Sequence, residues 1–213
     1  MVGLIDDERH ITTQWFKQTG DAVILVNSAA AVDDPGLGAS RFLKVCHGLK
    51  QGPVPTIDLT QEIAVQNAVR NLILAGLVKS AHDCSEGGIA VALAECCFSP
   101  NGQVGAEINL DACSRRPQGD AEDSSRAAAV LFNESQSRIV LSVAPGDAEK
   151  AVETLRSADV SASQIGWVGG TDLIIRAHNE VFRWPVAELH DPWWNAIQRA
   201  IESDSSAERL PSL

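Results

Sequence analysis

The chain has 213 residues, of which 45% are hydrophobic and 21% charged, the balance of an ordinary globular protein with a sizeable core. Its 17 basic and 28 acidic side chains leave a net charge of −11, which argues against a phosphate backbone or an anionic membrane as partner. No apolar run reaches the ~18–20 residues of a membrane span. The start of the chain lacks the basic and apolar regions of a signal peptide and reads like the inside of a fold.

Residues 11–17 and 22–27 are rich in β-branched and aromatic side chains and are separated by Gly20-Asp21, which predicts two strands joined by a hairpin or tight connection. Residues 28–39 are small, acidic, Gly or Pro, and predict a loop. A short helix is expected over 40–47, ending at Gly48. After Gly52-Pro53 comes the clearest helix: Asp58 is a candidate N-cap with Gln61 three residues on, and Val65, Val69, Leu72 and Ile73 form one stripe before Gly76. Leu77 to Ala81 reads as a short strand, followed by a tight turn and a helix from Ser85 to Phe98 that is apolar on more than one side.

Gly105 to Leu110 predicts another strand. Residues 111–126 carry almost nothing apolar and read as a solvated loop before a short helix over Ala127 to Phe132. A strand is expected over Arg138 to Ala144, an amphipathic helix over Asp147 to Ala158, and strands near 163–168, 172–177 and 180–184. The last helix is expected over Pro185 to Glu202. The pattern predicts an α/β (α+β) fold, a mixed sheet packed with helices, with residues 1–203 as one domain and 204–213 as a polar tail.

Cys46, Cys84, Cys96, Cys97 and Cys113 are odd in number and show no C-x-x-C spacing, so reduced thiols in a cytoplasmic protein are expected rather than disulfides or a zinc site. The five histidines lack a metal-ligand spacing, and neither a nucleophile elbow nor a Walker A loop occurs. Trp193 and Trp194 with Ile197 and Ile201 make an apolar helical face suited to core or domain-interface packing.

Two segments can carry chemistry. In His82-Asp83-Cys84-Ser85-Glu86-Gly87-Gly88 a strand passes into a helix, a junction whose outward N–H groups suit phosphate and whose Asp83 is of the type that holds Mg²⁺. Its other reading is an acidic capping turn with glycines for close packing. Glu134-Ser135-Gln136-Ser137-Arg138 precedes a strand and can reach a ligand, or Arg138 can pair with Glu134 or Glu86 to hold the fold. The residues by themselves specify no reaction.

The run Leu77-Val78-Lys79-Ser80-Ala81-His82-Asp83-Cys84-Ser85-Glu86-Gly87-Gly88, continuing to Cys97, resembles the large, ATP-using subunit of phosphoribosylformylglycinamidine synthase. The likeness extends through Gly105-Ala106-Glu107 and Leu131 to Arg138, and back through Gly3 to Asp7, Gly20-Asp21 and Gly52-Pro53. The wider superfamily includes aminoimidazole ribonucleotide synthetase, selenophosphate synthetase and thiamine-phosphate kinase.

The resemblance implies a parent that turns formylglycinamide ribonucleotide, ATP and ammonia from glutamine into formylglycinamidine ribonucleotide in purine synthesis. It implies two copies of a two-part module in that parent, this chain matching the last, C-terminal-type domain, with ATP and Mg²⁺ as cofactors of the parent. The family's catalytic histidine, ATP-contacting lysine and metal loop lie in domains absent here. By pseudo-symmetry with the first copy, Asp83 is placed as a metal ligand. Asp83, Ser85, Glu86, Gly87, Gly88, Glu134, Ser135, Gln136 and Arg138 are placed as ligand-binding candidates in a degenerate or auxiliary nucleotide cleft.

The expectation is a cleft-forming domain with no synthase activity alone. Its expected partners are the remaining domains of the parent, a glutaminase and small accessory subunits, and it is expected to self-associate when isolated. The alternative is a stand-alone nucleotide- or ligand-binding domain of the same superfamily.

Overall fold

A computed structural model describes residues 4–27, 36–111 and 123–207. The strands are β1 (Ala22–Asn27), β2 (Val78–Asp83), β3 (Ala106–Asn109), β4 (Ile139–Val143), β5 (Ser161–Val168), β6 (Asp172–Ala177) and β7 (Glu180–Pro185). The helices are α1 (Arg41–His47), α2 (Leu59–Leu74), α3 (Gly88–Cys96), α4 (Asp123–Phe132), α5 (Ala148–Ser157), α6 (Val186–Trp194) and α7 (Ala196–Ala207). One seven-stranded sheet runs in the order β2-β4-β1-β5-β3-β6-β7. Its pairs are antiparallel except β3 with β6, so the sheet is mixed as expected.

The composition of β1 explains its place in the middle. Every residue of Ala-Val-Ile-Leu-Val-Asn is buried, the mark of a strand covered on both faces. Val23 and Leu25 belong to a core with Ile89 and Leu93 of α3, Leu131 of α4 and Val186 of α6. Ala22, Ile24 and Val26 belong to a second core with Val65 and Leu72 of α2 and Leu155 of α5. Helices therefore cover both faces of the sheet around β1. Strands β3 and β6 give residues such as Ile108, Leu173 and Ile175 to the first core only. Their opposite face carries exposed ion pairs, Arg176 with Glu107 at 3.3 Å and Arg183 with Asp172 at 2.5 Å.

The helix boundaries follow local chemistry. The Asp58 side chain accepts from the N–H groups of Thr60 and Gln61, satisfying donors that the first turn of α2 leaves over. Gly48 caps α1 in the left-handed region at φ 68°.

Three expectations are corrected. Residues 11–17 form no strand; Thr13 makes one isolated bridge to Ser80, and the Phe16 N–H is spent on the Cys96 carbonyl at 2.8 Å. Anchoring buried Phe16 to the end of α3 takes the segment out of strand pairing, so no hairpin with β1 arises. The last helix is two helices, α6 and α7, broken at Asn195 three residues after Pro192 and reaching Ala207. The helix before β4 begins at Asp123 rather than Ala127, inside the stretch expected to be loop. The rest of that expected loop, residues 112–122, lies outside the described residues, as do residues 28–35, Cys113 and residues 208–213.

Candidate functional site

Strands β2 and β4 pair so that Asp83, at the end of one, lies opposite Ile139, at the start of the other. This register brings the two sequence motifs together: the Cys84 N–H donates to the Arg138 carbonyl at 2.9 Å. Between them opens a cleft of about 370 Å³, lined by Asp83, Ser85, Glu86, Glu134, Ser135, Gln136 and Arg138, with Glu62 and Ile57 from the α2 side. Gly87 and Gly88 stand behind this lining rather than in it.

Most of the charged groups there are already engaged. Glu134 Oε1 accepts the backbone N–H of Gly87 and that of Arg41, both at 2.8 Å. Glu86 pairs with the Arg41 guanidinium at 2.9 Å, and Glu62 accepts a hydrogen bond from the Ser137 hydroxyl. Arg138 is buried and donates to the Asn133 carbonyl at 3.0 Å. The expected pairing of Arg138 with Glu134 or Glu86 is thus replaced by one to the backbone, while Glu86 is held by Arg41 and Glu134 by backbone N–H groups. Asp83 remains 71% exposed, with His82 Nδ1 at 3.5 Å.

The double glycine has a steric reason. Gly88 has φ 64°, and a Cβ there would fall 2.6 Å from the Asn133 carbonyl oxygen and 2.8 Å from that of Leu131. Real side chains do not tolerate that distance, so only glycine lets α3 start against the end of α4. The close neighbour is the α4 terminus, not the sheet.

Behind the cleft, His82 Nε2 donates to Glu95 at 2.7 Å, and the Trp193 indole N–H donates to the same carboxylate at 3.0 Å. The His82 hydrogen bond is the main cause holding the Glu95 carboxyl below its ordinary range; partial burial opposes it and the Trp193 bond adds to it. Burial pushes the Cys84 thiol up to about 11 despite the neighbouring Arg138 charge, so this cysteine in the cleft wall is no nucleophile near neutral pH.

Sequence reasoning missed Arg41, Glu62 and Asn133. Asn133 is buried, and its side chain accepts the Ser135 N–H at 2.8 Å, shaping the turn that carries the second motif. Arg41 and Glu62 belong to no motif; they reach the cleft only through the packing of α1 and α2.

Among the described residues no group of three His, Cys, Asp or Glu side chains is placed to hold a metal. Glu86 is exposed but paired with Arg41, so Asp83 is the exposed carboxylate left to fit a Mg²⁺ carried mainly by phosphate and water oxygens, and it does not fit a site made of protein alone.

A family model described as AIR synthase related protein, C-terminal domain, matches residues 18–178. The chain belongs to this family. Phosphoribosylformylglycinamidine synthase subunit PurL of Moorella thermoacetica is 39% identical over 198 residues, 92% of this chain and 25% of that protein. The chain thus spans about a quarter of the length of the curated relatives it matches. Among solved structures, Thermotoga maritima PurL complexed with ATP shares the fold with a TM-score of 0.64 at 20% identity, over 84% of this chain and 27% of that one. A hydrogenase maturation protein HypE shares it with a TM-score of 0.55 at 18% identity, over 84% of this chain and 56% of that one. In this member of the AIR synthase related C-terminal family, β1, β2, β4 and the candidate motifs all lie within the matched region.

Proposed function

We propose that this chain is the C-terminal domain of the large subunit of a phosphoribosylformylglycinamidine synthase, with residues 1–203 as one domain. In this reading it forms the wall of a cleft and is inactive by itself. The observation that carries the proposal is the state of the cleft. Glu134 and Arg138 hold backbone groups, Glu86 holds Arg41 and Glu62 holds Ser137, which leaves Asp83, with only His82 beside it, as the exposed cleft carboxylate not tied to backbone, Arg41 or Ser137. Phosphoryl transfer needs metal, cationic or N–H donors and substrate positioned together, and one carboxylate does not assemble that set. Family membership and the 39% identity to a named synthase subunit support the parent.

When ATP and Mg²⁺ are present in the parent, the metal supplies charge neutralisation on phosphate. Asp83 is then the residue of this chain that would hold it, and Ser85, Ser135 and Gln136 are the polar groups beside it. The parent would act in the cytoplasm with its remaining domains, a glutaminase and small accessory subunits. The isolated chain would self-associate, because Trp194, Ile197 and Ile201 are 69%, 77% and 64% exposed.

The decisive test is turnover with formylglycinamide ribonucleotide, ATP-Mg²⁺ and ammonia. The parent should form product and this chain alone should not; product from the chain alone would overturn the proposal. Titration with ATP-Mg²⁺ tests the cleft separately: saturable binding lost in Asp83→Asn supports Asp83 as metal ligand, and binding unchanged in that variant removes it. A clean monomer by light scattering would refute the self-association.

A further inference from the structure

A cluster of positive charge on this acidic chain lies beside the cleft and belongs to neither sequence motif. From Gly36 to Ile57 the chain carries Arg41, Lys44, His47 and Lys50 and not one Asp or Glu, although the protein as a whole has a net charge of −11. The fold gathers three of these cations, Arg41, Lys44 and Lys50, around a pocket of about 300 Å³ that is also lined by Ser40, Gln51 and Gly52. Among the described residues no ion pair or side-chain hydrogen bond engages Lys44 or Lys50, and both are exposed.

The pocket is built rather than accidental. The two ends of the segment are tied by the Ala39 N–H donating to the Gln51 carbonyl at 2.9 Å. Gly38 packs so tightly against Pro53 that a Cβ on it would fall 2.1 Å from the Pro53 carbonyl oxygen. Leu49 N–H donates to the Leu43 carbonyl at 3.0 Å, which folds Lys50 back towards Lys44 past the Gly48 cap. Arg41 is pinned through its guanidinium to Glu86 and through its N–H to Glu134, which ties this pocket to two residues of the cleft lining.

We infer that this pocket binds a small phosphomonoester-type anion, either free phosphate or the phosphate of a nucleotide or sugar phosphate. Repulsion from the overall charge opposes an anion elsewhere on this surface, and a local cluster of cations in a concavity inverts that potential. Lysines without carboxylate partners are point-charge donors suited to phosphate. The concave shape and the small volume favour a compact anion over an acidic peptide, which needs an extended track. The inference goes beyond the proposed parent enzyme and does not depend on it.

Amide-resolved NMR of the full 213-residue chain at low ionic strength tests it. Inorganic phosphate, ribose 5-phosphate and adenosine monophosphate are titrated against the wild type, Lys44→Gln, Lys50→Gln, and Lys150→Gln as an exposed-lysine control on α5. The expected result is saturable shifts confined to residues near 39–52, weakened about tenfold in either pocket variant, unchanged in the control, and reduced by salt. Equal affinities for the three ligands support a site for the phosphate group alone, and tighter binding of one organic ester supports a site that also reads its body. Shifts spread over the whole surface, or equal binding in Lys44→Gln, Lys50→Gln and the control, would overturn the proposal. So would saturable binding of an oligoglutamate peptide where phosphate causes none, which would point to an acidic protein partner instead.

Discussion

Glu134 accepts the Gly87 N–H at 2.8 Å across 47 residues of chain, fastening the turn before α3 to the segment before β4. The same oxygen holds the Arg41 N–H, so one carboxylate braces the cleft from two other directions. Glu134→Ala is expected to cost about 2 kcal/mol, and Glu134→Gln about half of that because an amide oxygen still accepts. Urea unfolding of the two variants measures this. Equal midpoints for wild type and Glu134→Ala would show that the brace contributes nothing.

Gly88→Ala is expected to cost about 3 kcal/mol or more, since the new Cβ meets two backbone carbonyls in a left-handed conformation. Gly146→Ala serves as comparison: nothing lies within 4 Å of its Cβ position, and its effect should stay within about 0.5 kcal/mol. Thermal melts of both variants separate local crowding from the generic effect of losing a glycine.

Acid sensitivity should trace in part to Glu95. Its folded carboxyl is held below the ordinary value of 4.5, so its contribution is complete above that pH and is lost as pH falls through the lower, folded value. Glu95→Gln removes this titration while leaving an acceptor for His82 and Trp193. Stability measured from about pH 6 down to about pH 3 should fall less steeply in Glu95→Gln than in wild type. Parallel curves would contradict the assignment.

Thiol labelling should divide the described cysteines sharply. Cys46 is exposed, whereas Cys84, Cys96 and Cys97 are buried, with burial pushing Cys84 up to about 11 and Cys97 up to about 12. Alkylation followed by peptide mapping should mark Cys46 under native conditions and the buried three only as the fold opens. Early labelling of Cys84 would mean that the cleft wall opens far more readily than its packing indicates.

Local signals were strong where one residue type decides the outcome by itself. Asp58 and Gly48 mark helix ends because capping is satisfied within a few residues, and the β-branched run of β1 announces a strand, whose burial on both faces came with the fold. The two motifs around Asp83 and Glu134 were visible for the same reason, and the shared family follows from their residues. Residues 11–17 misled because their strand-like composition serves instead to seat Phe16 on the end of α3, a partner 80 residues away. The break after Pro192 was missed because the apolar spacing runs on through Asn195.

What this sequence determined by itself was the sheet-and-helix composition and the two motif segments, both set by properties of neighbouring residues. Only the tertiary structure decided what those motifs do to each other. The β2–β4 register places Asp83 beside Arg138, and the packing of α1 brings Arg41 to both Glu86 and Glu134. Those contacts depend on chain segments far apart in sequence, whose distances are fixed by how the two cores pack and not by any local pattern. The same packing gathers Lys44 and Lys50 with Arg41 into one pocket, a grouping of charge that composition alone, at −11, conceals.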